Sequence, residues 1–230
     1  MIVTSHRGAG FLEPENTLRA IRRAIDIGAD QVEIDVHLTR DGRLVLMHDA
    51  TVERTTNGTG AIAEFSLDEI RRLDAGLGER VPTLEEALEL ADGKITPQIE
   101  LKGPGTALAV VQTLTTMGCM DNVVLTSFLH PQLQDVRRLD QNVSLGALWG
   151  RLPPDVVSRS RALGVQALHI WHEFIDSPLL ADAHAQGFLV RAWNANREEE
   201  MRRLIDLGVD AIGSDRPDLL LEVCRRAGVR

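Results

Sequence analysis

The sequence predicts a single (β/α)8 barrel over residues 1–230, on three observations. Short strand-like apolar segments alternate with helical ones from the first residues to the last. Five of the helical segments end at a glycine, Gly28, Gly118, Gly164, Gly187 and Gly208, and an apolar strand starts within a few residues. A glycine can take the left-handed conformation that closes a helix without a Cβ clash. The strands themselves are continuously apolar, as parallel strands covered by helices are. Eight such units in 230 residues, with no clear interdomain linker, favour a closed barrel over an open doubly wound sheet.

The elements follow in order. Ile2 to Ser5 reads as a strand and Pro14 to Ile27 as a helix, with Asn16 as its candidate cap. Asp30 to His37 is the second strand. Leu44 to Met47, after the turn at Asp41-Gly42, extends it and opens a short insertion. Within the insertion, Asn57 to Gly60 is a loop and Leu67 to Leu73 a short helix. Thr83 to Ala91 is a helix whose Thr83 and Glu86 have capping-box spacing. Strands follow at Ile95 to Leu101, Asn122 to Thr126, Val143 to Leu148, Val165 to His169, Phe188 to Ala192 and Ala211 to Gly213. The helices between and after them are Thr106 to Met117, Pro131 to Arg138, Pro154 to Leu163, Pro178 to Ala185, Glu198 to Leu207 and Pro217 to Ala227.

Composition narrows the function classes. A formal net charge of −9, with no dense basic segment, argues against a nucleic-acid or other polyanion binder. A small phosphate ligand needs only local positive charge or a metal. Hydrophobic residues make up 43% of the chain, yet there are only five Phe and three Trp and no Tyr, so aliphatic side chains must fill the core. Cys119 and Cys224 fit buried thiols in a reducing compartment. The N-terminus shows no basic region followed by a long apolar run, and no apolar run reaches membrane-spanning length. A cytoplasmic protein is expected. Neither a Gly-x-Gly-x-x-Gly loop after the first strand nor a Gly-Lys-Ser/Thr phosphate loop is present.

In such a barrel, functional groups gather at the C-terminal ends of strands. Four of these ends are unusually polar: Ser5-His6-Arg7-Gly8, Glu33-Ile34-Asp35, His48-Asp49 and Glu100-Leu101-Lys102. The two-residue strand period puts Glu33 with Asp35, and Glu100 with Lys102, on one face. Interior carboxylates need a cation, so Glu33, Asp35 and Glu100 point to a bound metal or to a structural network with Arg7 and Lys102. An all-oxygen set suits magnesium or calcium better than zinc. His6 and His48 stand beside this constellation, placed either for proton transfer or for capping and packing. Arg7 can grip a phosphoryl oxygen or form a salt bridge. His37 reads as a rim residue, and His130 and His184 as helix-end or surface positions. His169, Trp171 and His172 either line the mouth or pack, and Trp193 stands at the rim.

The ordered motifs resemble the glycerophosphodiester phosphodiesterase family across nearly the whole chain. They run from His6-Arg7-Gly8 and Pro14-Glu15-Asn16-Thr17 through Glu33-Ile34-Asp35-Val36, His48-Asp49 and Arg54-Thr55-Thr56-Asn57-Gly58-Thr59-Gly60. They continue with Val81-Pro82-Thr83-Leu84, Glu100-Leu101-Lys102, Ser127-Phe128, Trp193 to Asn196 and Gly208 to Pro217. The resemblance implies metal-dependent hydrolysis of a small glycerophosphodiester to an alcohol and glycerol 3-phosphate. His6 and His48 match the acid/base pair, and Glu33, Asp35 and Glu100 the ligands of Mg2+ or Ca2+. Arg7 and Lys102 match phosphate-binding positions, Phe128 and Trp193 the substrate-side rim, and Glu15, Asn16 and Asp49 supporting positions around them. Two departures stand out: Ser214-Asp215 replaces the usual Thr-Asp, and Trp193-Asn194-Ala195-Asn196 replaces Trp-Thr-Val-Asn. The second is expected to shift alcohol preference, and the compact insertion favours a small soluble diester. Lysophospholipase D-like cleavage is the neighbouring activity. A non-catalytic binding module is disfavoured because both histidines and all three carboxylates are present.

Overall fold

The computed structural model describes residues 1–230. The chain opens with β1 (Ile2–Ser5), α1 (Leu18–Ile27), β2 (Gln31–Leu38) and β3 (Leu44–Leu46). After β3 come α2 (Leu67–Ile70) and α3 (Leu84–Ala91), and then β4 (Thr96–Leu101) and α4 (Thr106–Met117). Strictly alternating units complete it: β5 (Val124–Ser127), α5 (His130–Leu139), β6 (Ser144–Trp149), α6 (Val156–Ala162), β7 (Ala167–Trp171) and α7 (Ser177–Ala185). The last are β8 (Leu189–Trp193), α8 (Glu198–Leu207), β9 (Ala211–Ser214) and α9 (Pro217–Arg226).

All strands except β3 are parallel, and β1 pairs with both β9 and β2, which closes the sheet into the expected barrel. β3 runs antiparallel to β2 and pairs Val36 with Leu46, so the insertion begins as a hairpin on the barrel wall. Beneath the insertion, Val45, Met47, Val52, Ile62, Ile70, Ala75 and Val81 form a core of their own. The main core joins alternate strand residues such as Ile34, Ile99, Leu125, Leu168 and Ile212 to the inner faces of the helices. Thr83 caps α3 as the spacing predicts: Glu86 N donates to Thr83 Oγ1, and Thr83 N donates to the Glu86 carboxylate.

Two sequence expectations need correction. The first helix starts at Leu18, and its cap is Thr17, whose Oγ1 accepts from Ala20 N. Asn16 lies at φ 56°, outside the helix, because its side chain is committed to Asp35. The strand expected to end at His169 runs on to Trp171. Trp171 therefore shares the inward parity of His169 instead of belonging to a loop.

Inside the barrel, the side chains that aliphatic packing would normally supply are largely polar. Buried Thr4, Gln31, Gln98, Thr126, His169 and Arg191 occupy that space. Arg191 donates to Gln31, and the His169 ring fills the volume over Gly146, where a Cβ would sit 2.3 Å from Nε2. Burial pushes the His169 pKa well below its ordinary value, so the ring is neutral.

Candidate active site

The loop from β1 to α1 makes a tight return. Arg7 sits at φ 52° and Gly8 at φ 84°, and a Cβ on Gly8 would lie 2.5 Å from the Ala20 Cβ. Only glycine permits that approach. The turn presents His6 and Arg7 to a cavity of about 270 Å3 at the C-terminal ends of the strands. Glu33, His48, Glu100, Phe128, Trp171 and Trp193 also line it. A larger hollow of about 840 Å3 at the other end of the barrel, around Asp92, Lys94 and Cys119, gathers no comparable set.

Glu33 and Glu100 line this cavity and Asp35 lies beside them, each buried, with one carboxylate oxygen apiece within 4.8 Å of the others. Asp35 stands opposite Glu100 in the β2–β4 register, so strand pairing itself brings two of the three together. Burial raises the Glu33 pKa well above its ordinary value, and repulsion from Asp35 and Glu100 adds to this, while Arg7 opposes it. Glu100 is pushed up to about 7 by burial and by Asp35. Asp35 is also buried, but Lys102 and Arg7 hold its pKa below the ordinary carboxylate value. Asn16 fixes it further: Nδ2 donates to Asp35 Oδ2 at 2.9 Å, and Asp35 N donates to Asn16 Oδ1 at 3.1 Å. The remaining oxygen, Asp35 Oδ1, has no hydrogen-bond donor. Three crowded carboxylates, two of them protonated well above the ordinary range, together with an oxygen that lacks a donor, are the donor set of a divalent cation site.

Two histidines flank the trio. His6 Nε2 lies 3.8 Å from Glu33 Oε2, and the charge of Asp35 acts on His48. Each ring is held the same way: His6 Nδ1 is 2.6 Å from Asp215 Oδ1, and His48 Nδ1 is 2.6 Å from Asp49 Oδ1. An ionised carboxylate only accepts, so Nδ1 carries the proton in both rings and neutral imidazole keeps its lone pair on Nε2. Burial lowers the His48 pKa, against the pull of Asp35 and Asp49. His37, expected at the rim, is buried, and its Nε2 donates to the His48 carbonyl at 3.1 Å.

The supports of the two histidines differ. Asn196 Nδ2 donates to Asp215 Oδ2 at 2.6 Å, and Asn196 Oδ1 accepts from Asp215 N and from Ser214 Oγ. Asp49 instead meets Arg54, whose guanidinium also clasps both Glu15 oxygens at 2.8 and 2.9 Å. Glu15 also accepts from Arg7 at 3.1 Å. Lys102 Nζ reaches Glu100 at 2.9 Å and Asp35 at 3.6 Å. The fold thus brings together His6, Arg7, Glu33, Asp35, His48, Glu100 and Lys102, the residues of the polar strand ends. The motifs alone give no role to Asp215, Asn196 or Arg54. Asp215 directly follows the last strand, β9, inside the Gly208 to Pro217 motif, and that placement is the available signal.

Opposite the carboxylates stands an aromatic wall. Phe128 and Trp193 meet at 5.4 Å between ring centroids, and Trp171 and Trp193 at 5.1 Å, with planes inclined by 85° and 70°. The indole N–H of Trp193 is buried without a protein acceptor.

A closed (β/α)8 barrel with a buried acidic trio and two carboxylate-backed histidines at its mouth has the layout of a metal-assisted hydrolase. The comparisons with known proteins make this specific. Residues 6–219 match the model of the glycerophosphoryl diester phosphodiesterase family, and the chain belongs to that family. A glycerophosphodiester phosphodiesterase of Caldanaerobacter subterraneus is 35% identical over 240 residues, covering 99% of both chains. An Oleispira antarctica phosphodiesterase, solved with its product sn-glycerol-3-phosphate, superposes with a TM-score of 0.94 at 32% identity, covering 98% of this chain and 97% of that one. The glycerophosphodiester phosphodiesterase of Agrobacterium tumefaciens superposes with a TM-score of 0.86 at 28% identity, covering 96% and 99%. The chain is a phosphodiesterase.

Proposed function

We propose that the chain, acting as a single domain over residues 1–230, hydrolyses small glycerophosphodiesters to an alcohol and glycerol 3-phosphate. His6 and His48 exchange the protons, and Glu33, Asp35 and Glu100 hold Mg2+ or Ca2+. The observation that carries this reading is the pair of carboxylate-backed histidines, both lining the cavity that Glu33 and Glu100 of the acidic trio also line. The cavity of about 270 Å3 suits a small diester. No helix is long and apolar enough to cross a membrane. The free cysteines Cys119 and Cys224 fit a reducing, cytoplasmic setting.

A divalent ion bound by the trio would polarise a phosphoryl oxygen and offset its charge. Arg7 and Lys102 add positive charge beside it, and Asn16 keeps Asp35 in place. Phe128 and Trp193 shape the substrate side, while Glu15 and Asp49 orient Arg7 and His48. Burial favours neutral His48, whose free Nε2 takes the proton of a glycerol hydroxyl as that oxygen attacks phosphorus. His6, on its other side, serves as the acid that gives a proton to the departing alcohol. Attack closes a cyclic phosphate and breaks the bond to the alcohol. Water then opens the ring with the two histidines in exchanged roles.

The test is release of glycerol 3-phosphate from glycerophosphocholine, glycerophosphoethanolamine and glycerophosphoglycerol, with and without chelator. The same assay is repeated on His6→Ala, His48→Ala and Glu33→Ala. Turnover that survives rigorous chelation, or survives in both histidine variants, contradicts the assignment.

A further inference from the structure

Below the acidic trio the cavity continues into the barrel, where Thr4, Gln98, His169, Arg191 and Ala211 line its floor. Arg191 carries the positive charge of that floor, and only 7% of its surface is exposed. Its Nη1 donates to Gln31 Oε1, a neutral amide oxygen that also accepts from Thr4. Its Nε–H is buried with no acceptor in the protein. No carboxylate pairs with it. Asp210, the acid whose charge acts on Arg191, is already bound by His184 and by the Val190 N–H. The neighbouring His169 meets burial by staying neutral. A guanidinium cannot shed its proton, so Arg191 remains a buried cation without a counter-charge, which is costly.

We propose that the barrel floor binds a small monovalent anion such as chloride, with the Arg191 guanidinium as its counter-charge and its Nε–H as the anchoring donor. Three features favour this ligand. The Nε–H is a charge-assisted donor that lacks an acceptor, and the Gln98 amide offers a further N–H to the same space. The room exists because the inward residues of the adjoining strand are small. Ala211 is level with Arg191 in the β8–β9 register, and Gly213 follows on the same face, both lining the cavity. The charge limit comes from above. Glu33 and Glu100 line the same cavity, so a divalent oxyanion would be repelled, whereas one negative charge just neutralises the guanidinium. The inference does not depend on the phosphodiesterase reading, and its test needs no turnover.

The experiment pairs crystallography with melting. Crystals of the native chain and of Arg191→Met are soaked in sodium bromide, and anomalous maps are recorded at the bromine edge. The expected result is a bromide in hydrogen-bond contact with Arg191 Nε, absent from Arg191→Met. In parallel, Tm is measured as sodium chloride replaces sodium gluconate at constant ionic strength. Native Tm should rise by about 3–5 °C for each tenfold increase in chloride above the dissociation constant. Arg191→Met should lose that rise, because a methionine leaves no charge to neutralise. A map that shows water alone at Arg191, or an equal chloride effect in both proteins, would overturn the site. A bromide signal seen only at molar concentration, with no chloride effect on Tm, marks an adventitious ion only and overturns it as well. If Arg191→Met does not fold, the native maps and the native chloride-against-gluconate series decide.

Discussion

The two histidines at the barrel mouth are supported by opposite physics. On the C-terminal side, His6 leans on Asp215, and Asp215 is held by the neutral amide of Asn196 and by strand β9. On the insertion side, His48 leans on Asp49, and Asp49 is held by Arg54 within a partly exposed chain of charges that runs through Glu15 to Arg7. Short amide hydrogen bonds respond weakly to salt, whereas exposed ion pairs are screened by it. One histidine is therefore fixed by the scaffold and the other by a salt-sensitive network, although both present the same free nitrogen.

The largest expected effect abolishes what the two supports serve. Glu33→Ala, or exhaustive chelation, should lower glycerol 3-phosphate release by about a thousandfold or more, because the remaining carboxylates cannot hold the ion alone. Breaking the supports one at a time comes next. Asp215→Asn and Asp49→Asn should each cost about ten- to a hundredfold in kcat with a smaller change in KM, since an amide can hold the wrong tautomer at Nδ1. Asn196→Ala and Arg54→Ala then sharpen the comparison. Raising the ionic strength should make the native enzyme behave more like Arg54→Ala, so their kcat values converge in high salt. The gap between native and Asn196→Ala should stay constant in the same salt series.

Not all of this was legible in the sequence. The barrel, the acidic trio and both histidines could be read because each lies at a strand end, where the period of two and the barrel rule fix direction. The supports were harder, because partners such as His6 and Asp215 are 209 residues apart and meet only when β1 pairs with β9. In sequence Asn16 looks like a helix cap because caps and carboxylate clamps use the same side-chain chemistry, and only its positive φ separates them here. In sequence Trp171 is equally compatible with the mouth and with packing, because β7 extends two residues past the expected end at His169. The polar barrel interior around Arg191 and Gln31 carried no sequence signal beyond its parity.

Stability should report the trio independently of activity. With Glu100 raised to about 7 from an ordinary 4.5, the folded chelated protein holds a proton that the unfolded chain has already released. Stability then falls as pH rises from about 4.5 through about 7, most visibly in the melting temperature of the chelated protein. Added Mg2+ or Ca2+ should restore it increasingly over the same range, because the carboxylates must be deprotonated to bind. Metal stabilisation that did not grow with pH would count against the site. The smallest effect belongs to the insertion, where Leu77 is held at φ 56° between Gly76 and Gly78. Leu77→Gly should raise stability by about 0.5 kcal/mol, or roughly 1–2 °C in Tm, by removing left-handed strain.

The central claim, that His6 and His48 act as one proton-transfer pair over the acidic trio, is tested most directly by a double-mutant cycle. The quantity is kcat for glycerol 3-phosphate release from metal-loaded native enzyme, His6→Ala, His48→Ala and the double variant. Each single variant should fall by about a hundred- to ten-thousandfold, and the double variant little further, because residues that act as a unit are not additive. A single variant within a few-fold of native, or losses that simply multiply in the double variant, would contradict the account.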